Sequence, residues 1–485
     1  MIDKFETPDW VRNSIFYQIF IDRFYDGNKD NNPVHTDKWG CKPTRENFFG
    51  GDLEGIIKKL PYLDKLGINA VYLTSIFKAP SNHKYDTEDY MKIDPSFGNI
   101  NIFKKLLKIA HDRGIRVIVD GVFNHTGDNF WAFKDVIKNE KSSPYIDWYF
   151  INDFPIVKKT KPNYATFGDC YYLPKLNVDN PEVKKYIFDI VKFWTKMGID
   201  GWRLDAAPFL IKNHNFWKEF RILVKNINPN AYLVGEIWLV GENWEILENP
   251  KPWLLGDEFD GSMNYRLRDL IIKFFIKKEI DAKEFDNKLN FLLKDYPWEA
   301  TLSMFNLLGG HDTERYLTLC KSNIGKFKLS LIFLMTFPGV PMIYYGDEVG
   351  MTGENDPDCR RTMIWDKSLW NKEINNIYRK LIRFRMKHES LRSGNFKTLL
   401  VFNRLYVYQR LKGSGAVIVV LNAGKKQDKV TVPMKKGAIF YKTWVDLFTK
   451  NKYKVVGNCL EIKNVSKLSA LVLKPDNTES KNCVA

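Results

Sequence analysis

Eight short apolar runs, each ending in polar residues, set the strongest limit on what this 485-residue chain can fold into. They are NSIFYQIFIDRF, NAVYLTSIF, IRVIVDGVFNH, GWRLDAA, AYLVGEIW, DEFDGSMNY, LSMFNLLGGHD and VPMIYYGDE. Between most of them lie stretches whose apolar residues recur at helical spacing, at 53–67, 100–114 and 182–198. In the second stretch Ile102, Phe103, Leu106, Leu107 and Ile109 share one side. Strand and helix alternating in this way predict an α/β fold, a (β/α)8 TIM barrel.

The rhythm breaks twice. After the third strand, about fifty residues rich in Asp, Pro, Tyr and Trp are too long for a loop and predict a small inserted domain. Beyond about residue 390 the segments RLYVYQRL, GAVIVVLNA and KVTVPM alternate, are β-branched and are separated by Gly or Lys turns. They predict a C-terminal antiparallel β-sandwich. The expected layout is a barrel over 1–123 and 173–390, an inserted domain over 124–172, a sandwich over 391–476 and a frayed tail over 477–485.

Composition narrows the function class. A hydrophobic share of 44% and a charged share of 27% belong to a globular protein. The net charge of +16 raises a nucleic-acid reading. The lysines are spread along the chain, however, and no finger, RRM signature or basic tract accompanies them, so no nucleic-acid partner is expected. No signal peptide and no membrane-spanning run are read. Cysteines 41, 170, 320, 359, 459 and 483 lack metal-type spacing and suggest reduced thiols of the cytoplasm. An aromatic share of 15%, with 14 Trp, offers flat faces that suit sugars or bases.

In this fold the carboxyl ends of the strands converge on one mouth. Asp120, Asn124 and His125 stand at the end of the third strand, Arg203 and Asp205 at the fourth, Glu236 at the fifth, and His311 and Asp312 at the seventh. A single charged strand end is usually a cap or a surface residue; so many together are not. Asp, Glu and His can hold a hard cation. They can equally work on a glycosidic bond, one carboxylate attacking the anomeric carbon and another delivering a proton. For that second chemistry Arg203, two residues before Asp205 and on the same face of the strand, would hold the Asp205 pKa low. Glu236, followed by apolar Ile237 and Trp238, would have a raised pKa suited to an acid.

DGVFNH, GWRLDAA, GEIW and GGHD, in this order at these strand ends, resemble the conserved regions of the α-amylase family of glycoside hydrolases. The resemblance covers nearly the whole chain. It implies Asp205 as nucleophile, Glu236 as general acid/base and Asp312 as the third catalytic carboxylate. His125 and His311 would bond the sugar at the cleavage point and Tyr85 would stack under it, with His83 a weaker match. LPKLN, SNHKYDTEDY, WLLGDEFDGSMNY and DPDCRRTMIW are similar to the cyclomaltodextrinase, neopullulanase and maltogenic amylase branch. By that analogy Asp356 and Arg360 line the donor side and Trp238 the acceptor side, completing with Arg203 the substrate-binding set. The branch implies hydrolysis of α-1,4 bonds in cyclodextrins and maltooligosaccharides, some tolerance of α-1,6 bonds, and some transfer to sugar acceptors.

The sequence departs from the family pattern at two places. Most of that branch carries an extra N-terminal β domain, whereas here the first barrel strand begins near residue 14, leaving monomer and homodimer both open. Many α-amylases follow the nucleophile with Lys-His, whose histidine carbonyl binds calcium; here Pro208 and Phe209 stand there, so that site is expected to be weakened or absent. A different calcium site is implied by DGNKDNN at 26–32 and GGD at 50–52. Asp26, Asn28, Asn31, Asn32, the Gly50 carbonyl and Asp52 would supply its oxygens. An endo-acting α-amylase or α-glucosidase is the alternative within the family. A non-catalytic carbohydrate-binding or scaffold protein is the alternative outside it.

Overall fold

The structure is a computed structural model that describes residues 5–210, 214–237, 251–434, 438 and 441–476. Strands β1 (Phe16–Ile19) and β2 (Ala70–Leu73) are followed by a hairpin, β3 (Phe77–Lys78) and β4 (Asp89–Ile93). Then come β5 (Arg116–Gly121), β6 (Gly201–Leu204), β7 (Tyr232–Gly235), β8 (Gly261–Ser262), β9 (Phe305–Leu307) and β10 (Val340–Tyr344). All except the hairpin form one parallel sheet in the order β8-β7-β6-β5-β2-β1-β10-β9. A parallel bridge from Met263 to Phe305 brings its two ends together. The eight apolar runs are therefore the eight strands of the expected TIM barrel. They read as runs because both faces are buried, one against the interior and one against helices.

Phe16, Tyr72, Ile118, Tyr232 and Phe305 fill the interior with side chains, and Phe16 meets Phe305 edge to face at 4.7 Å. The helices start where their caps dictate. The Asp52 carboxylate accepts from Gly55 N–H to open Leu53–Leu66. Asn99 does the same for Ile100–Asp112, and Asn180 for Pro181–Met197. Gly67 and Gly198, both left-handed, end the first and third of these helices. Gly201 is required at the start of β6, because a β-carbon there would lie 2.1 Å from the Tyr232 carbonyl oxygen. The resulting close approach sets the β5–β6–β7 register, in which Asp120 pairs with Arg203 and Leu204 with Gly235.

Two excursions shape the mouth. The β3–β4 hairpin, which the runs of apolar residues did not announce, carries the loop holding Tyr85. The long segment after β5 folds on itself through antiparallel bridges, Tyr149 to Leu176 and Thr166 to Pro174. After the barrel, eight further strands run from β11 (Asn395–Phe402) to β18 (Ser469–Pro475) and form an antiparallel sheet around Trp444 and Leu460. Two buried arginines meet the C-terminus of helix Ile324–Thr336: Arg410, from the strand Leu405–Lys412, ties the sheet to the barrel, and Arg385, from helix Lys372–Lys387, joins two helices of the barrel itself. Arg410 donates to the Thr336 carbonyl at 2.6 Å and Arg385 to the Met335 carbonyl at 2.9 Å. Cations suit a helix end whose last carbonyls lack partners.

Candidate active site

Arg203 occupies the centre of the mouth. Its side chain is 1% exposed. One terminal nitrogen donates to Asp120 at 2.8 Å and to Asp205 at 2.7 Å. The other meets Glu236 at 2.5 Å. The family resemblance puts Arg203 in the substrate-binding set; in the fold its buried guanidinium is taken up by the three carboxylates and orients them. Because the two ends of one guanidinium hold Asp205 and Glu236, their nearest oxygens lie within the roughly 10 Å that spans both glycosidase geometries.

The turn after β6 completes the pairing. Asp205 N–H extends the ladder to the Gly121 carbonyl at 3.1 Å. Ala206 then takes φ 47°, a left-handed conformation that side chains disfavour. This strained residue aims its N–H at Glu236 Oε2, 2.9 Å away. Tyr265 reaches the other oxygen of Glu236 at 3.5 Å. The apolar surroundings expected of Glu236 are therefore not those its carboxylate meets. Strand alternation sends Ile237 into the core and leaves Glu236 among donors. Trp238 lies outside the described residues.

The electrostatics also differ from the sequence expectation. Burial pushes the Asp205 pKa well up; Arg203 opposes this, and the neighbouring Glu236 and Asp120 carboxylates add to the rise. Asp120 is raised in the same way, by burial against Arg203. The expected lowering of Asp205 by Arg203 is outweighed because one guanidinium serves three carboxylates in a dry site. Asp120 is the hidden anchor, accepting from Tyr72 at 2.6 Å and from Tyr85 at 2.8 Å.

On the open side Asp312 is 44% exposed, against 11% for Asp205 and 6% for Glu236. Arg360 donates to Asp312 at 3.0 Å and to the His311 carbonyl at 2.8 Å, and pairs with Asp356 at 3.0 Å. His311 lies parallel to Tyr85, at 5.4 Å and 5°. The Gln18 side-chain amide donates to His311 Nδ1 at 2.8 Å, so Nε2 carries the proton toward the Tyr85 oxygen, also at 2.8 Å. Burial holds His311 well below its usual pKa and brings His125 down to about 4 and His83 to about 3. All three are neutral donors and acceptors at pH 7. Gln18, Tyr72 and Tyr265 escaped sequence reasoning. The signal for Gln18 was a lone amide inside the apolar strand FYQI.

Where the Lys-His pair is replaced, Phe209 packs edge-on against Phe167 at 5.6 Å, and Phe167 stacks on His125 at 5.1 Å. Aromatic contact thus joins the inserted segment to the barrel there. The other calcium candidate fits a cation. Asp26 Oδ1, Asn31 Oδ1 and Asn32 Oδ1 are buried with no hydrogen-bond donor, and a β-carbon on Gly50 would touch the Asn32 side chain. Asp52 and Asn28 are partly engaged: Asp52 accepts from Asn28 N–H at 2.7 Å and Asn28 Oδ1 from Asp30 N–H at 3.1 Å. Burial, with the Asp26 and Glu54 charges, raises the Asp52 pKa to about 6.

Relatives share this architecture. The chain is 46% identical to neopullulanase 2 of Thermoactinomyces vulgaris over 453 residues, covering 92% of this chain and 75% of that protein. It is 47% identical to a cyclomaltodextrinase of Thermoanaerobacter pseudethanolicus over 430 residues, covering 88% and 73%. The solved structure of a cyclic α-maltosyl-(1→6)-maltose hydrolase from Arthrobacter globiformis superposes with a TM-score of 0.86 at 38% identity, covering 97% of this chain and 99% of that one. The catalytic-domain model of the alpha-amylase family matches residues 18–387. With its barrel, its ordered strand-end motifs and these relatives, the chain belongs to the alpha-amylase family of glycoside hydrolases.

Proposed function

We propose that the protein is a retaining hydrolase of α-1,4-glucosidic bonds in cyclodextrins, maltooligosaccharides and related α-glucans, with some α-1,6 tolerance and some transfer to sugar acceptors. The observation that carries this reading is the shared guanidinium: Arg203 presents Asp205 and Glu236 together at the mouth. Asp205 acts in its ionised form, with Arg203 as its counter-ion: it attacks the anomeric carbon and the bond to the leaving glycosidic oxygen breaks, while Glu236 gives that oxygen a proton. Water, losing a proton to Glu236, then releases the sugar from Asp205. Neutral His125 and His311 bond sugar hydroxyls, Tyr85 supports the ring, and Asp312, braced by Arg360 and Asp356, accepts from hydroxyls as the ring flattens. The scattered free cysteines fit a reducing cytoplasm, and among the described residues no helix is long and apolar enough to cross a membrane.

Product analysis on β-cyclodextrin, soluble starch and pullulan, side by side, tests the substrate class. Faster attack on the cyclodextrin than on starch is expected; a strong preference for starch would move the assignment to an α-amylase. For the metal, Ca²⁺ bound by Asp26, Asn31 and Asn32 with the Gly50 carbonyl would brace the loops around β1. Added calcium is expected to raise Tm by a few degrees, since ligand at 100 Kd stabilises by about 2.7 kcal/mol. EGTA reverses the shift and Asp26→Ala abolishes it. An unchanged Tm in saturating calcium removes the metal.

A further inference from the structure

One buried amide of the barrel is only half satisfied. Phe16 helps to fill the interior, and Gln18, two residues further along β1, faces the same side one layer nearer the mouth. Gln18 is fully buried. Its amide nitrogen donates to His311 Nδ1 at 2.8 Å, but its amide oxygen has no hydrogen-bond partner. Gly310 makes room for that oxygen: a β-carbon there would lie 3.2 Å from it. An unpartnered buried acceptor costs stability, and a methionine of similar length would fill the space without one. The strand therefore keeps a polar group at a loss, and the one bond of that group goes to a residue of the site.

The direction of this bond follows from the far side of the imidazole. Asp120, which also accepts from Tyr72 and Arg203, accepts from Tyr85 O–H at 2.8 Å. The single phenolic proton is used there, so the Tyr85 oxygen meets His311 Nε2, 2.8 Å away, as an acceptor. Asp312 Oδ2, 3.1 Å from the same nitrogen, is an acceptor as well. Nε2 thus carries the hydrogen, Nδ1 offers a lone pair, and Gln18 has to present its N–H.

We infer that Gln18 is a positioning residue that keeps His311 neutral and donating through Nε2. The inference rests on the hydrolase reading above for the use made of that donor. A second proton on the ring would sit on Nδ1 and face the N–H of Gln18. Without this block the Asp312 carboxylate would favour an imidazolium and pair with it, and would be drawn away from sugar hydroxyls. The remaining groups around His311 do not supply an acceptor at Nδ1. Arg360 and the Cys359 thiol donate to the His311 carbonyl at 2.8 and 3.2 Å. The Phe20 ring lies at 6.2 Å, neutral His83 stands nearby, and burial with the Arg360 and Arg203 charges opposes a further positive charge.

Gln18→Glu replaces the block with an acceptor of the same shape. Histidine-selective ¹⁵N NMR reads the ring directly, with His311→Asn assigning its resonances. In the wild-type protein His311 Nδ1 is expected to stay unprotonated from pH 5.5 to 8; in Gln18→Glu both ring nitrogens should be protonated at pH 6. Gln18→Met removes the block without adding an acceptor. Its deficit in kcat/KM for maltotriose, relative to wild type, should be about three- to fivefold larger at pH 5.5 than at pH 8. This second variant carries the test if Gln18→Glu does not fold. A proton on Nδ1 in the wild-type protein, a Gln18→Glu ring that titrates like wild type, or a Gln18→Met deficit equal at both pH values overturns the proposal. A protein that cleaves no glucan fails the hydrolase reading instead, and the NMR result still decides the role of Gln18.

Discussion

Asp205→Asn lowers kcat on maltotriose by about 10⁴-fold, with little change in KM. The amide keeps the shape and the hydrogen bond from Arg203 Nη1 at 2.7 Å, so the fold and the sugar contacts of Asp312 and His311 persist. What is lost is the nucleophile. Glu236→Gln removes the proton donor and costs about 10²–10⁴-fold. Its loss is smaller on substrates with a good leaving group, such as an aryl maltoside, because that departure needs no proton. Asp205→Asn gains nothing from such a substrate, and this contrast separates the two roles. Unchanged turnover in both variants would leave a carbohydrate-binding protein without catalysis.

Arg203→Met destabilises the protein by about 3–5 kcal/mol at neutral pH, because it strands buried carboxylates without a cation. The pH dependence identifies the cause. In the folded protein the Asp205 and Asp120 pKa values are raised, by burial first, above their unfolded values. The folded state therefore holds more protons than the unfolded chain once pH passes the unfolded value near 4, and stability falls as pH rises through the raised values. Removing the guanidinium takes away the main influence that opposes the rise. The deficit of Arg203→Met should thus be small at pH 5 and grow toward pH 8, by up to about 1.4 kcal/mol per pH unit for each proton retained. Urea denaturation at the two pH values measures it. If the variant does not fold, Arg203→Lys, with a point charge that cannot fork to three carboxylates, should show a weaker form of the same slope. A deficit independent of pH would mean that Arg203 matters through packing alone.

Asp347 adds to the same trend. Burial raises its pKa to about 7, with Arg315 lowering it and Glu348 raising it. Its contribution to stability is full below the unfolded value near 4, falls as pH rises from there to about 7, and is level above. Its place beyond the end of β10, against Arg315 at 2.9 Å, makes this contribution independent of the catalytic cluster and present in both proteins. The difference between wild type and Arg203→Met therefore isolates the mouth.

The sequence by itself determined the barrel, the family motifs and which strand ends carry acids. Those properties are local: a four-residue run such as AVYL buried on both faces, or Asn180-Pro181 opening a helix, declares itself within a few residues. Only the tertiary structure decided how the groups meet. Gln18 and His311 lie 293 residues apart, and the β5–β6 register alone sets Asp120 beside Arg203. The sequence reading of Arg203 as a partner of Asp205 was right as adjacency and incomplete as electrostatics, since it could not count Asp120 and Glu236 on the same guanidinium. The Ala206 turn and the Phe167–Phe209 contact have no signature in composition or period. Each depends on ring closure bringing distant backbone within a few ångströms, and the free energy of a buried charge depends on every group within that reach, not on its neighbours along the chain.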